Sequence, residues 1–239
     1  DFIFPHKENL FTNASIDVIV FRYCKNPQLP KITSVNGENK YIINSNGILT
    51  FSESQYDDKM SMMSEHFNIC VGMVTGRESV FKNSEYGNIF VRNGETKLEK
   101  YILISEYPTN DKKLNKYMLE NKTELIKRKI RKFNQDNWFE WGALRNIKTI
   151  QENLGKPCIY VSNLTRSKKI CFKGKVEYFG GGLIMMLPKV KTTKTELNLE
   201  RLVEFLNTEH FQENYRYSGR FKIGHRQLSN SRINPEEFI

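Results

Sequence analysis

At 239 residues the chain is long enough for one large domain or two small ones with ample core. A hydrophobic share of 38% with 12% aromatic residues excludes a disordered chain, and no apolar run approaches the roughly 18 residues of a membrane span. With 37 Lys+Arg against 27 Asp+Glu the net charge is +10, so a polyanionic partner is expected, nucleic acid first and an acidic membrane surface second.

The four cysteines, Cys24, Cys70, Cys158 and Cys171, lie far apart in or beside apolar runs. No Cys-x-x-Cys pair is present, so they read as small buried hydrophobes in a reducing compartment and not as a zinc site. No signal-peptide pattern opens the chain, and a soluble cytoplasmic protein is expected.

The chain opens on Asp1-Phe-Ile-Phe-Pro5, already strand-like, and Ser15-Ile-Asp-Val-Ile-Val-Phe-Arg22 is the kind of run buried on both faces of an α/β sheet. Residues 1–30 thus read as the end of a larger domain whose beginning is missing. Residues 31–59 are polar and read as a connector. Within it, residues 41–43 and 48–51 are short strands flanking the turn signal Asn46-Gly47.

Residues 60–239 read as a second domain. Phe67, Ile69, Val71 and Met73 alternate as in a strand with one buried face. Gly72 interrupts that strand, which points to a bulge or to a close approach by another chain. Thr75-Gly76-Arg77-Glu78-Ser79 reads as a turn in which Gly76 takes a positive φ and Arg77 is offered to a phosphate or a base edge. The plain alternative is a solvated arginine. Residues 87–92 and 101–104 are expected strands, with Asn93-Gly94 as a tight turn after the first. Residues 111–134 form the longest helical pattern. That helix is buried on two faces, or it breaks near Asn121 and restarts with Thr123 as N-cap. Lys127, Arg128, Lys129, Arg131 and Lys132 are placed on its exposed arc, as a solvated face or as phosphate contacts.

Trp138 and Trp141 follow, as core anchors or alternatively as platforms for a base. Ile147, Ile150 and Leu154 share a face of a short helix that stops at Gly155. Residues 158–161 and 170–172 are strands flanking the basic loop 163–169, a usual place for recognition side chains. Gly180, Gly181 and Gly182 permit close backbone approach, with a phosphate nest as one use, but no Walker pattern follows. Leu199, Leu202, Val203 and Leu206 form a helical stripe behind Asn198 as N-cap. Arg220, Lys222 and Arg226 alternate with Phe221 and Ile223, which puts the basic side chains on one side.

No self-contained active site emerges. His6, His66, His210 and His225 are dispersed, and no Gly-x-Ser-x-Gly elbow or Gly-x-Gly-x-x-Gly turn is present. The order of segments does carry a resemblance. Asn13-Ala-Ser-Ile-Asp-Val-Ile-Val-Phe-Arg-Tyr23 resembles the last core strand of site-specific N6-adenine DNA methyltransferases of the TaqI-methylase-like class. Val71-Gly-Met-Val-Thr-Gly-Arg-Glu-Ser-Val-Phe81 is similar to the segment that opens their target-recognition domain. Leu206-Asn-Thr-Glu-His-Phe211, with Ser218-Gly-Arg-Phe-Lys-Ile-Gly-His-Arg-Gln-Leu228, resembles the end of that domain.

The family's Asn/Asp-Pro-Pro-Tyr/Phe motif and its glycine-rich cofactor motif are absent here; in this class both lie N-terminal to the recognition domain. The resemblance therefore implies terminal strands of a methyltransferase-type sheet followed by an α+β target-recognition domain. It carries over no catalytic or metal-binding residue, and it implies S-adenosylmethionine only for the full-length enzyme. The implied partners are double-stranded DNA and the missing catalytic domain. The candidate DNA contacts are Arg77, Arg145, Arg166, Lys168, Lys169, Arg220, Lys222 and Arg226, with Trp138 and Trp141 as further candidates for base contact. Loop-tip arginines would read guanine and lysines would neutralise phosphate. Two rivals stand beside this reading. One is a metal-dependent restriction-type nuclease using Asp57-Asp58-Lys59 or Glu177 with Lys175. The other is a module whose basic face meets an acidic protein.

Overall fold

The computed structural model describes residues 2–3, 20–21, 25, 32–35, 38–45, 48–52, 59–163, 168–189, 197–209, 211 and 223–238. They form an α+β protein of short helices and largely antiparallel sheets, the fold class expected from the sequence. The chain divides into two compact units, one of residues 1–69, 163–171 and 188–239 and the other of residues 70–162 and 172–187. Residues 60–239, expected as one domain, contribute to both.

In the first unit a five-stranded sheet runs in the order Val20–Phe21, Phe2–Ile3, Ile32–Val35, Glu38–Ser45 and Ile48–Ser52. Residues 31–59, expected as a connector, thus supply three strands to the sheet that holds the N-terminal ones. Their polar composition masks β-branched positions such as Ile32, Thr33, Val35, Ile42, Ile43 and Thr50, which favour pleated backbone. Ser45 pairs with Ile48, the two-residue hairpin spacing that Asn46-Gly47 signals.

Elsewhere in this unit the helix Leu199–Leu206 starts where the Asn198 side chain accepts from Arg201 N at 3.1 Å, and it buries Leu199, Leu202 and Leu206. Phe205 packs against Phe211 and Phe238, with centroids 5.5 and 5.3 Å away. Arg232–Ile233 pairs antiparallel with Ser61–Met62, and Met63 N donates to Ser231 O at 2.7 Å.

His66 closes the helix Met63–His66, its Nε2 lying 2.5 Å from Ser61 Oγ. Burial holds its pKa below the ordinary 6.5; Glu65 opposes this and Lys189 adds to it. A lowered folded pKa means that the unfolded chain takes up this proton first. The stability His66 contributes is therefore present above pH 6.5 and is lost as the pH falls through 6.5 toward the folded value. Melting temperature should fall between about pH 7.5 and about pH 5.5, with a shallower fall in H66Q. Equal slopes in the two proteins would contradict this.

The second unit contains a sheet in the order Cys171–Lys175, Pro157–Ser162, Leu183–Pro188 and Phe67–Val71, the last of which enters the unit at Cys70. The middle strands are antiparallel, Ile159 facing Met186 and Tyr160 facing Met185, and their side chains are buried along almost their whole length. A hairpin of Ile89–Arg92 and Leu98–Tyr101 lies in the same unit. Its return strand comes earlier than expected. Charged Glu99 and Lys100 hide it from a hydropathy reading, while buried Tyr101 fixes the register opposite Ile89. The tight turn expected at Asn93-Gly94 spans residues 93–97 instead, with Asn93 N donating to Lys97 O at 2.8 Å.

The long helical pattern resolves into Lys112–Glu120 and Lys122–Ile126. Asp111 caps the first, accepting from Lys113 N and Leu114 N. The break falls at Asn121, as one of the two alternatives had it, but Asn121 and not Thr123 is the second N-cap. The helix then ends at Ile126 and does not continue to residue 134, and Arg128 leaves the exposed arc for the interior.

Candidate nucleic-acid interface

The candidate site of the second unit begins at the Thr75-Gly76-Arg77 turn. Two backbone contacts fix the approach to it. Gly72 lies against residues 180–181, where a Cβ would stand 2.0 Å from Gly180 O; the close approach expected at this glycine is made by the chain's own backbone and not by another chain. Val74 pairs antiparallel with Ala143, each donating to the other's carbonyl at 2.9 Å. The glycine run is used in the same packing: Met73 N donates to Phe179 O, and Gly180 N to Arg92 O at 3.0 Å. The Gly180 amide is thus committed to protein and is not part of a phosphate nest.

At the turn Gly76 has φ 76°, the left-handed conformation expected of it. Buried Thr75 donates from Oγ1 to Glu78 Oε1 at 3.1 Å and accepts from Arg77 N at 3.2 Å. Tyr101 OH donates to the other Glu78 oxygen, and burial followed by Glu78 pushes the phenol pKa up. The turn is rigid because each polar group beneath its tip has a partner. The Arg77 side chain is exposed and paired with Glu124.

Arg128 lies beneath this turn. It is 8% exposed and donates from Nε to Leu125 O at 2.7 Å, from Nη1 to Thr75 O at 2.7 Å and from Nη2 to Trp138 O at 2.6 Å. Its guanidinium lies 3.7 Å from the Phe133 ring centroid. Burial brings its pKa down to about 10, so the group stays charged at neutral pH. This one side chain binds the end of a helix, the underside of the Arg77 turn and the tryptophan segment.

The loop after Arg128 is thereby laid over the turn. Ile130 Cγ2 would be 3.0 Å from a Cβ at Gly76 and 2.6 Å from one at Gly142. Lys127, Lys129 and Lys132 are exposed, and their ammonium groups make no hydrogen bond or ion pair with the described residues. Arg131 donates to Glu140 Oε2 at 2.5 Å and to Trp141 O at 3.0 Å. This unit holds 19 Lys+Arg against 12 Asp+Glu, most of the positive excess of the chain.

Arg145, a second arginine expected at the interface, is exposed but is not brought beside Arg77. From the Val74–Ala143 pairing the two chains run in opposite directions, and Asn146 Nδ2 donates to Val71 O at 3.0 Å. Arg145 therefore follows the paired segment toward Gly72, away from the Arg77 turn. Trp138 and Trp141 are 1% and 3% exposed. Trp138 packs edge-on to Tyr107 at 4.7 Å, and Trp141 Nε1 donates to Ile102 O at 2.7 Å. Each indole stabilises this core by about 4–6 kcal/mol relative to water. Neither offers a face to a base, so both leave the candidate interface.

In the first unit the residues on either side of the basic loop, Asn163 before it and Ile170 and Cys171 after it, meet the C-terminal region. Asn163 O accepts from Ile223 N at 2.9 Å, and the Asn207 carboxamide accepts from Ile170 N and Cys171 N at 2.7 and 3.1 Å. Lys168, Lys169 and Arg226 are exposed. Arg166, Arg220 and Lys222 lie outside the described residues. Arg226 does not continue a strand-like alternation; it belongs to the helix His225–Asn230, which Gln227 opens by accepting from Gly224 N at 2.7 Å.

The rival nuclease residues are placed in part. Glu177 is paired with Arg92, Nε to Oε2 at 2.5 Å, while Asp57 and Asp58 lie outside the described residues. Among the described residues no three His, Cys, Asp or Glu side chains gather where a metal ion would sit, and no helix is long and apolar enough to cross a membrane. No protein-family model matches the chain, and no curated protein matches it.

The sequence places Lys127, Lys129 and Lys132 on a helix face, either solvated or against phosphate, and the structure puts them in a loop beyond the helix end at Ile126. The signal for that loop was Ile130 and Phe133, apolar residues inside a basic run, which anchor it from below rather than continue a helical stripe.

Proposed function

We propose that this chain is the DNA-binding, target-recognition portion of an adenine-specific DNA methyltransferase of a restriction-modification system. The observation that carries the reading is the Ile223–Asn163 hydrogen bond. It sets Asn163, which precedes the basic loop carrying Lys168 and Lys169, against Ile223, which precedes the helix carrying Arg226. The positive excess and the segment order of the resemblance support the same reading. In this account the catalytic domain methylates an extruded adenine from S-adenosylmethionine, and this portion grips the duplex and reads bases. No cofactor and no catalytic group are assigned to this chain.

The test is binding to duplex DNA of random sequence across a salt series, with and without magnesium. Binding should weaken steeply with salt and leave the DNA intact. R166Q combined with K168Q should make the log–log salt slope shallower by up to about 2. Magnesium-dependent cleavage would favour the nuclease, and loss of binding to an acidic protein on adding duplex DNA would separate out the interaction module.

A further inference from the structure

We infer that residues 127–132, together with Arg77, form a site for the phosphate backbone of duplex DNA; this rests on the reading above and names where the second unit meets the strand. Three observations carry it. First, Lys127, Lys129 and Lys132 are exposed and bring three ammonium groups into one short loop, none paired with a described carboxylate. Like charges held together raise the local potential, and a polyanion relieves it.

Second, the loop is held in place before any ligand arrives. Arg128 ties its start to Thr75 O and Trp138 O, and Ile130 rests over Gly76 and Gly142. A pinned loop loses little conformational entropy on binding, so each phosphate contact is retained as affinity. Arg128 itself is buried and takes no part in contact.

Third, the carboxylates at the rim already hold the guanidinium groups. Glu124 pairs with Arg77 and Glu140 with Arg131. A phosphate accepts from guanidinium in the same geometry as a carboxylate. Glu124 therefore occupies the position that a phosphate takes on Arg77, and it competes with the strand. Asp136 lies in the turn that follows.

The experiment measures duplex DNA affinity by fluorescence anisotropy over a salt series for four proteins. K127Q/K129Q/K132Q should bind at least tenfold more weakly near 0.1 M salt, with a slope shallower by about 2–3. K112Q/K113Q/K116Q removes the same charge from the exposed side of the helix Lys112–Glu120 and should change affinity less than threefold. E124Q should bind about threefold tighter or better. Equal losses in the two triple variants, or no loss in the first, overturn the site while leaving the DNA-binding reading intact. Unchanged affinity in E124Q overturns the part given to Arg77. No binding of duplex DNA by the unmutated chain at low salt overturns both, and a single-stranded RNA of equal length, bound through the same lysines, would reassign the site to RNA.

Discussion

Replacing Arg128 by methionine should destabilise the second unit by roughly 3–5 kcal/mol, because three buried carbonyls lose a charged donor at once. Methionine keeps much of the stem's packing against Phe133 and Phe81 but offers no hydrogen to Leu125 O, Thr75 O or Trp138 O. R128K should recover little, since a single ammonium cannot reproduce the planar fork that reaches three acceptors. Urea unfolding followed by tryptophan fluorescence checks this, because Trp138 and Trp141 both lie in the core that Arg128 closes. A loss below about 1 kcal/mol in R128M would show that water replaces the guanidinium at those carbonyls. A folded remnant of R128M should also bind DNA less well, as the lysine loop would no longer be held against the Arg77 turn.

G72A should cost about 3 kcal/mol or more, or prevent folding. The added Cβ would lie 2.0 Å from Gly180 O, 2.4 Å from Gly180 C and 2.9 Å from Gly181 N. All three are backbone atoms in paired segments, so relief requires separating Met73 from Gly180. G182A is the matched control. Nothing lies within 4 Å of the Cβ it would add, and its stability should stay within about 0.5 kcal/mol of the parent. Similar losses in the two variants would mean that the glycine run matters for its conformation and not for its approach to Gly72.

Local rules made part of this protein legible in its sequence. Gly76 and Gly155 take the positive φ their turns call for, Asn198 caps its helix, and Gly72 stands at a close backbone approach. The first three depend on residues near in sequence and on one dominant physical cause; Gly72 shows only its missing side chain, and its partner Gly180 lies far along the chain. What stayed hidden depends on distant partners. Arg128 was indistinguishable from its neighbours in a basic run until Thr75 and Trp138 supplied its acceptors. Residues 31–59 looked like a connector because strand pairing, not apolar content, makes them a sheet. Tryptophan read two ways from sequence, as anchor or platform, and burial decided between them. The basic loop 163–169 was visible as a run of charge, but its tie to Ile223 was not.

Target recognition is the central claim, and selection from a pool of duplexes with a randomised core tests it most directly. The account predicts that repeated rounds at moderate salt enrich one short sequence, and that Arg226→Gln relaxes the choice at particular positions within it. Retention of the pool with no sequence enriched would contradict it, leaving a phosphate-binding protein that does not read bases.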